Sequence, residues 1–158
     1  RDKLLLYHRF EGTSIGDKEA VYLAFSLTKA DKLKDKKFAI LSGGEKQKIV
    51  IARAVAQTTP WMLLDEPIAS LDIKNQIEIM QTLSELNRQE GVSVLIVLHD
   101  INLAGIYCDR LIMLKDGQVI AAGNTNECLC EENLKKLYDI SFFHMDTKKG
   151  QRYYYAEI

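Results

Sequence analysis

The stretch "VSVLIVL", Val92–Leu98, is too uniformly apolar to face water on either side. "WMLL", Trp61–Leu64, follows Pro60 and reads as another buried strand, the first of the two in chain order. Between them lies Ile73–Glu90, a long amphipathic helix with Ile73, Ile77, Met80 and Leu83 as its stripe, stopped by Gly91. Strand, helix and strand in this order predict α/β layering around a parallel sheet. In such sheets ligands gather outside the carboxyl ends of the strands. What stands at those two ends therefore says most about function.

The rest of the chain is read around that centre. Asp17–Ala30 is expected to be a helix, with Ala20, Val21, Leu23, Ala24 and Leu27 on one side. The lysine-rich Lys29–Lys37 reads as a solvated connection. Ile101–Cys108 is a short helix, and "RLIMLKDGQVIAAG" is a hairpin turning at Asp116-Gly117. Glu131–Tyr138 is a terminal helix. Phe142–Ile158 is a small β appendage whose Tyr153–Tyr155 run packs rather than forming a stacking platform.

Composition removes several classes of function. A net charge of −1 gives no electrostatic case for nucleic acid. Val92–Leu98 is the longest apolar run and is too short to span a bilayer. No signal peptide is visible. Cys108, Cys128 and Cys130 read as reduced cytosolic thiols, in preference to a metal cluster of Cys128, Cys130 and His144.

The strand ends carry the chemistry. The first ends in Asp65-Glu66-Pro67, where an acidic pair is costly unless it has partners or water. The plain reading is an acidic strand-to-turn junction. The functional one gives Asp65 a Mg²⁺ and Glu66 the water that attacks. The second strand ends in His99-Asp100, and His99 lands beside Glu66 if the strands are neighbours. Ser70 or Asp72 caps the helix at Ile73.

One more stretch needs an explanation. In "LSGGEKQKIVIARA", Leu41–Ala54, Ser42 and Glu45 form a capping-box pattern before the helix Gln47–Gln57. The box does not account for Gly43 and Gly44, since glycine costs up to about 1 kcal/mol against alanine inside a helix. A bare backbone at a helix amino end lets an anion come close. A plain cap and an anion site both remain open on these residues alone.

Taken together, these residues resemble the later part of an ABC-type ATPase. "LSGGEKQ" resembles the family signature, "WMLLDEP" Walker B, "SLD" the D-loop and "VLHD" the switch-histidine segment. The resemblance covers Arg1 to about Ile140. It implies a partial P-loop ATPase fold: a helical subdomain (1–58), a parallel-sheet α/β core (59–140) and a β hairpin or appendage (141–158). It also implies ATP and Mg²⁺, with Glu66 and His99 catalytic and Asp65 at the metal. Ser42, Gly43, Gly44, Glu45 and Gln47 would bind nucleotide, and Ser70, Leu71 and Asp72 would lie at a dimer interface. In the family two subunits pair head to tail, so each signature closes over ATP held by the partner.

The segment from Val97 to Gly123, with "ENLKKLYDI", is similar to ATPases of importers for iron–siderophore complexes, haem and vitamin B12 (cobalamin). The implied partners are a second ATPase subunit, transmembrane permease subunits docking near Asp17–Lys37, and indirectly a substrate-binding protein. The implied place is cytoplasmic, on the inner face of the membrane. Lys46 and Lys48 stand where arginine is common, and Ile68 where threonine is usual. The larger departure is the P-loop, G-x-x-x-x-G-K-[ST], which the sequence does not contain. Gly12–Glu19 imitates it poorly: its glycines are too close and no Ser or Thr follows the lysine. The expectation is the carboxyl-terminal portion of a longer subunit, inactive alone. The alternatives are a non-catalytic regulatory remnant and a DNA-repair or chromosome-maintenance ATPase.

Overall fold

The computed structural model describes residues 15–148 and 150–157. The amino-terminal end of the unit 1–58, the opening of the Gly12–Glu19 segment and Ile158 lie outside the described residues.

Helix α1 (Ile15–Leu27) packs on α2 (Gly43–Val55). Its buried line is narrower than its apolar pattern. Ala24 and Thr28 are buried, whereas Val21 and Leu23 are exposed. The Lys29–Lys37 connection is also less solvated than its charge predicts. Ala30 and Leu33 turn inward around a 3₁₀ turn and join Leu41 in a small apolar cluster, while the lysines stay outside.

Strand β1 (Trp61–Asp65), helix α3 (Ile73–Glu90) and strand β2 (Ser93–Val97) form the crossover. The strands pair in parallel, with Leu63 opposite Leu95 and Asp65 opposite Val97. Met62, Leu64, Val94 and Ile96 pack against Ile51 of α2 and against Ile79, Met80, Leu83 and Leu86 of α3. No described element covers the other face: Trp61, Leu63, Leu95 and Val97 are exposed, Leu63 by 72%. Among the described residues the apolar runs therefore bury one face. The stripe of α3 is shifted as well. Its buried line turns toward Ile79 and Leu86, leaving Ile73 and Ile77 exposed. Periodicity marks apolar positions, but the elements that pack against a helix decide which of them are covered.

Helix α4 (Ile101–Tyr107) leads to the hairpin β3 (Arg110–Lys115) and β4 (Gln118–Asn124). Asp116 and Gly117 both have positive φ, 50° and 75°, as a tight hairpin turn requires. Short helices α5 (Thr125–Cys128) and α6 (Glu131–Tyr138) precede a last antiparallel hairpin, β5 (Phe142–Asp146) and β6 (Arg152–Ala156). Met113, Cys128, Leu129, Leu134, Phe142 and Tyr154 form a second core. Tyr154 is the buried member of the tyrosine run, and Tyr155 lies against Phe143. The three cysteines are free thiols. Among the described residues no helix is long and apolar enough to cross a membrane. No group of three or more potential ligating side chains there could hold a metal ion by itself.

Candidate active site

The amino end of α2 is closed by the capping box that its sequence predicts. Glu45 N–H donates to Ser42 Oγ at 3.3 Å, and Ser42 N–H donates to Glu45 Oε2 at 2.9 Å. Lys36 Nζ donates to the other oxygen of Glu45, also at 2.9 Å. The Ser42 amide and then the Lys36 ammonium lower the Glu45 pKa from 4.5 to about 2. The box uses the amides of Ser42 and Glu45, so those of Gly43 and Gly44 are not part of it. Gly43 is exposed, Gly44 is buried, and Gln47 is half-buried one turn further on.

The loop from Glu66 to Asp72 lies against this end. Ala69 N–H reaches Glu66 C=O at 3.3 Å, and Leu71 N–H reaches Ile68 C=O at 3.1 Å. Gln76 Nε2 donates to the same Ile68 carbonyl at 3.2 Å. Pro67 and Ile68 are buried, which anchors the loop while Ser70 stays exposed. Asp72 caps α3: its Oδ1 accepts the Asn75 amide at 2.8 Å and its Oδ2 accepts Asn75 Nδ2 at 2.8 Å. Those two donors hold the Asp72 carboxyl below its ordinary pKa. The Leu71 side chain reaches Gly43.

The parallel register brings the two strand ends side by side. His99 Nε2 lies 2.7 Å from Glu66 Oε1, across 33 positions of sequence. Both side chains are open to solvent, the histidine by 76% and the glutamate by 44%. Glu66 sits at φ +45°, a left-handed conformation that a non-glycine residue adopts at a cost of order 1–3 kcal/mol. Asp100, next to His99, caps α4 through Asn102 N–H and Leu103 N–H, at 2.8 and 2.9 Å. Asp65 is exposed at the end of β1. One carboxylate at such an edge suits Mg²⁺, which keeps several waters and takes its other ligands from phosphates.

The candidate residues thus fall into two groups. Ser42, Gly43, Gly44, Glu45 and Gln47 stand at the start of α2, with Leu71 and Asp72 packed near them. Glu66 and His99 touch each other at the sheet edge, beside Asp65. Sequence reasoning passed over Lys36, Asn75, Gln76 and Asn102. Asn102 Nδ2 donates to Tyr154 C=O at 3.0 Å, and Tyr154 N–H returns a bond to Asn102 Oδ1 at 2.8 Å. The last hairpin is thereby tied to the helix that follows His99. A polar residue on a helix predicted to have an apolar stripe was the only available signal for Asn75.

The ABC transporter family profile matches residues 6–69. The ferric enterobactin transport ATP-binding protein FepC of Escherichia coli is 41% identical over 82% of this chain and 48% of its own length. The petrobactin import ATP-binding protein FpuC of Bacillus anthracis is 41% identical over 78% of this chain and 46% of its own. The chain spans about half the length of the curated relatives it matches. One chain of an ABC transporter solved in an inward-facing conformation superposes with a TM-score of 0.87 at 26% identity. That match covers 95% of this chain and 61% of the solved one. The ATP-binding cassette MJ0796, solved as a dimer bound to ADP and Pi, gives 0.60 at 34% identity, over 73% and 51%.

Proposed function

We propose, for a chain whose sequence and fold belong with the ATP-binding subunits of ABC transporters, that it supplies the hydrolytic edge and the signature segment of an importer ATPase. The observation that carries this reading is the 2.7 Å contact between Glu66 and His99 at adjacent ends of two parallel strands. An ionised Glu66 accepts the imidazole N–H on one oxygen and keeps the other for a water molecule. It can then take that water's proton as the water attacks a phosphoryl group. His99 holds the carboxylate in place and presents its ring to the same edge. Asp65 would hold Mg²⁺, which supplies charge to offset that on the phosphates. The amide of Gly43, an exposed residue, and the Ser42 hydroxyl would face the phosphate end of a nucleotide held by a second subunit.

The family's phosphate loop is not in the sequence, so the nucleotide cradle would come from polypeptide outside these residues. The uncovered apolar face of Trp61, Leu63, Leu95 and Val97 supports a core that continues there. The relatives named for ferric enterobactin and petrobactin favour an iron–siderophore cargo, with haem or cobalamin in the same class. Such a subunit works as a pair beneath permease subunits, on the cytoplasmic face of the membrane.

The test is a graft. The chain replaces the matching half of the ferric enterobactin ATP-binding protein, and the chimera is assayed for Mg-ATP hydrolysis. Hydrolysis that depends on Glu66 is expected. A folded chimera that binds ATP without turning it over would overturn the reading. The chain alone is expected to bind Mg-ATP only weakly, and a micromolar affinity by calorimetry would contradict that.

A further inference from the structure

Gly43 and Gly44 are adjacent, but the structure gives them different surroundings. A Cβ on Gly43 would meet Leu71 Cδ2 at 3.4 Å, an ordinary contact. A Cβ on Gly44 would stand 3.1 Å from Asn75 Cβ and would overlap the Cγ and Oδ1 of the same side chain. Asn75 is therefore seated in the space that a side chain at position 44 would occupy. It is fixed there from its other side, because Asp72 accepts both its backbone N–H and its Nδ2, each at 2.8 Å. One turn along, Lys48 of α2 pairs with Glu78 of α3 at 2.8 Å, so the two helices stay in step beyond the contact.

We propose that Asn75 is a positioning residue, a strut between the Asp72 carboxylate and Gly44 that sets where the amino end of α2 stands relative to the Glu66–Asp72 loop. Gly44 is glycine to admit that strut, whatever ligand approaches Gly43. A movement of the loop reaches Gly44 through the Asn75 amide, beside the direct contact of Leu71 on Gly43. The functional meaning rests on reading Ser42–Gly44 as facing a phosphate, but the strut itself does not.

Two measurements on the chain test it. The first is thermal unfolding of Gly43→Ala, Gly44→Ala, Asn75→Ala and the Gly44→Ala/Asn75→Ala pair. Overpacking at position 44 is expected to lower the midpoint by roughly 3–10 °C. Gly43→Ala should move it much less. The double variant should recover more than half of the Gly44→Ala loss, or restore folding if the single variant does not fold. A Gly44→Ala protein as stable as the parent, or a double variant no better than the single, overturns the proposal.

The second measurement reads coupling rather than stability. Asp72→Asn keeps a helix-capping oxygen but replaces the acceptor of Asn75 Nδ2 with an amide that cannot fill the role in the same orientation. It should shift the Gly43 and Gly44 amide resonances in ¹H–¹⁵N spectra when Asn75 is present and leave them nearly unmoved in an Asn75→Ala background. Equal shifts in both backgrounds, or none in either, overturn the proposal. Neither measurement uses nucleotide, so its failure leaves the ATPase reading intact, and a failed graft leaves the strut intact.

Discussion

Glu45 is held by Ser42 and Lys36, Asp72 by two bonds to Asn75, and Gly44 is buried against that same asparagine. Glu66 and His99 have one another, at 2.7 Å, with both side chains open to water. The first group is a frame of reciprocal bonds around a helix end. The second is a solvent-open carboxyl–imidazole pair at a strained strand end. On the proposed reading, a group that accepts a proton needs water and some freedom, and a backbone that faces a phosphate needs a fixed direction. The contrast says that substitutions on the two sides should fail differently: one in turnover, the other in stability.

The sharpest break is Glu66→Gln in the grafted subunit. The side chains are close in size, and the amide cannot take a proton from water at neutral pH. Turnover should fall by about 10²–10⁴-fold while ATP affinity holds. The variant should also persist as a dimer in Mg-ATP on sizing chromatography. His99→Ala should lose rate similarly and trap the dimer less well. A Glu66→Gln enzyme near the parent rate would place the base elsewhere.

Next comes Ser42→Ala, on the framed side. Losing the cap should lower the stability of the chain by about 1 kcal/mol in urea unfolding. No change would mean that the capping box adds nothing to the frame. Glu66→Gly should show the opposite sign. Removing a side chain at φ +45° relieves left-handed strain of about 1–2 kcal/mol and adds about 0.5–1 kcal/mol of unfolded-state freedom. Stability should stay level or rise by up to ~1.5 kcal/mol while activity in the graft is lost. A clear loss of stability would show that the Glu66 side chain is part of the frame after all.

Much of this contrast was legible before the structure. Ser42 with Glu45 and Gly91 after Glu90 are local signals that close their helices as read, and of Ser70 and Asp72, the two caps open for α3, the structure uses Asp72. The parallel pairing followed from two apolar runs flanking a helix, and it set His99 against Glu66. What could not be read were contacts whose partners lie far apart in sequence. Nothing around Asn75 announces that it packs on Gly44, 31 positions earlier, so two glycines looked alike when their surroundings differ. Burial was misjudged for a related reason. Leu63, Leu95, Ile73 and Ile77 are apolar in the pattern that buried elements show, yet no described element covers them. Conversely, Leu33 is buried inside a lysine-rich stretch because Ala30 and Leu41 stand ready to meet it.

The smallest expected effect is in pH, and it tests the framed side without a ligand. The folded Glu45 carboxyl is held at about 2 by the Ser42 amide and Lys36, against an ordinary 4.5. A carboxyl that binds its proton less readily when folded favours the folded state wherever it is ionised in both states. That contribution is fully present above about pH 4.5 and is lost as pH falls toward 2. The Glu45 side chain is about one-third exposed, 32%, so screening keeps the contribution modest. Parent and Glu45→Gln should therefore differ in urea midpoint at pH 6 and draw together between pH 4.5 and 3. If the Glu45→Gln difference stays constant down to pH 3, the Glu45 carboxylate is not what closes this helix end, and the frame rests on Ser42 and Asn75 alone.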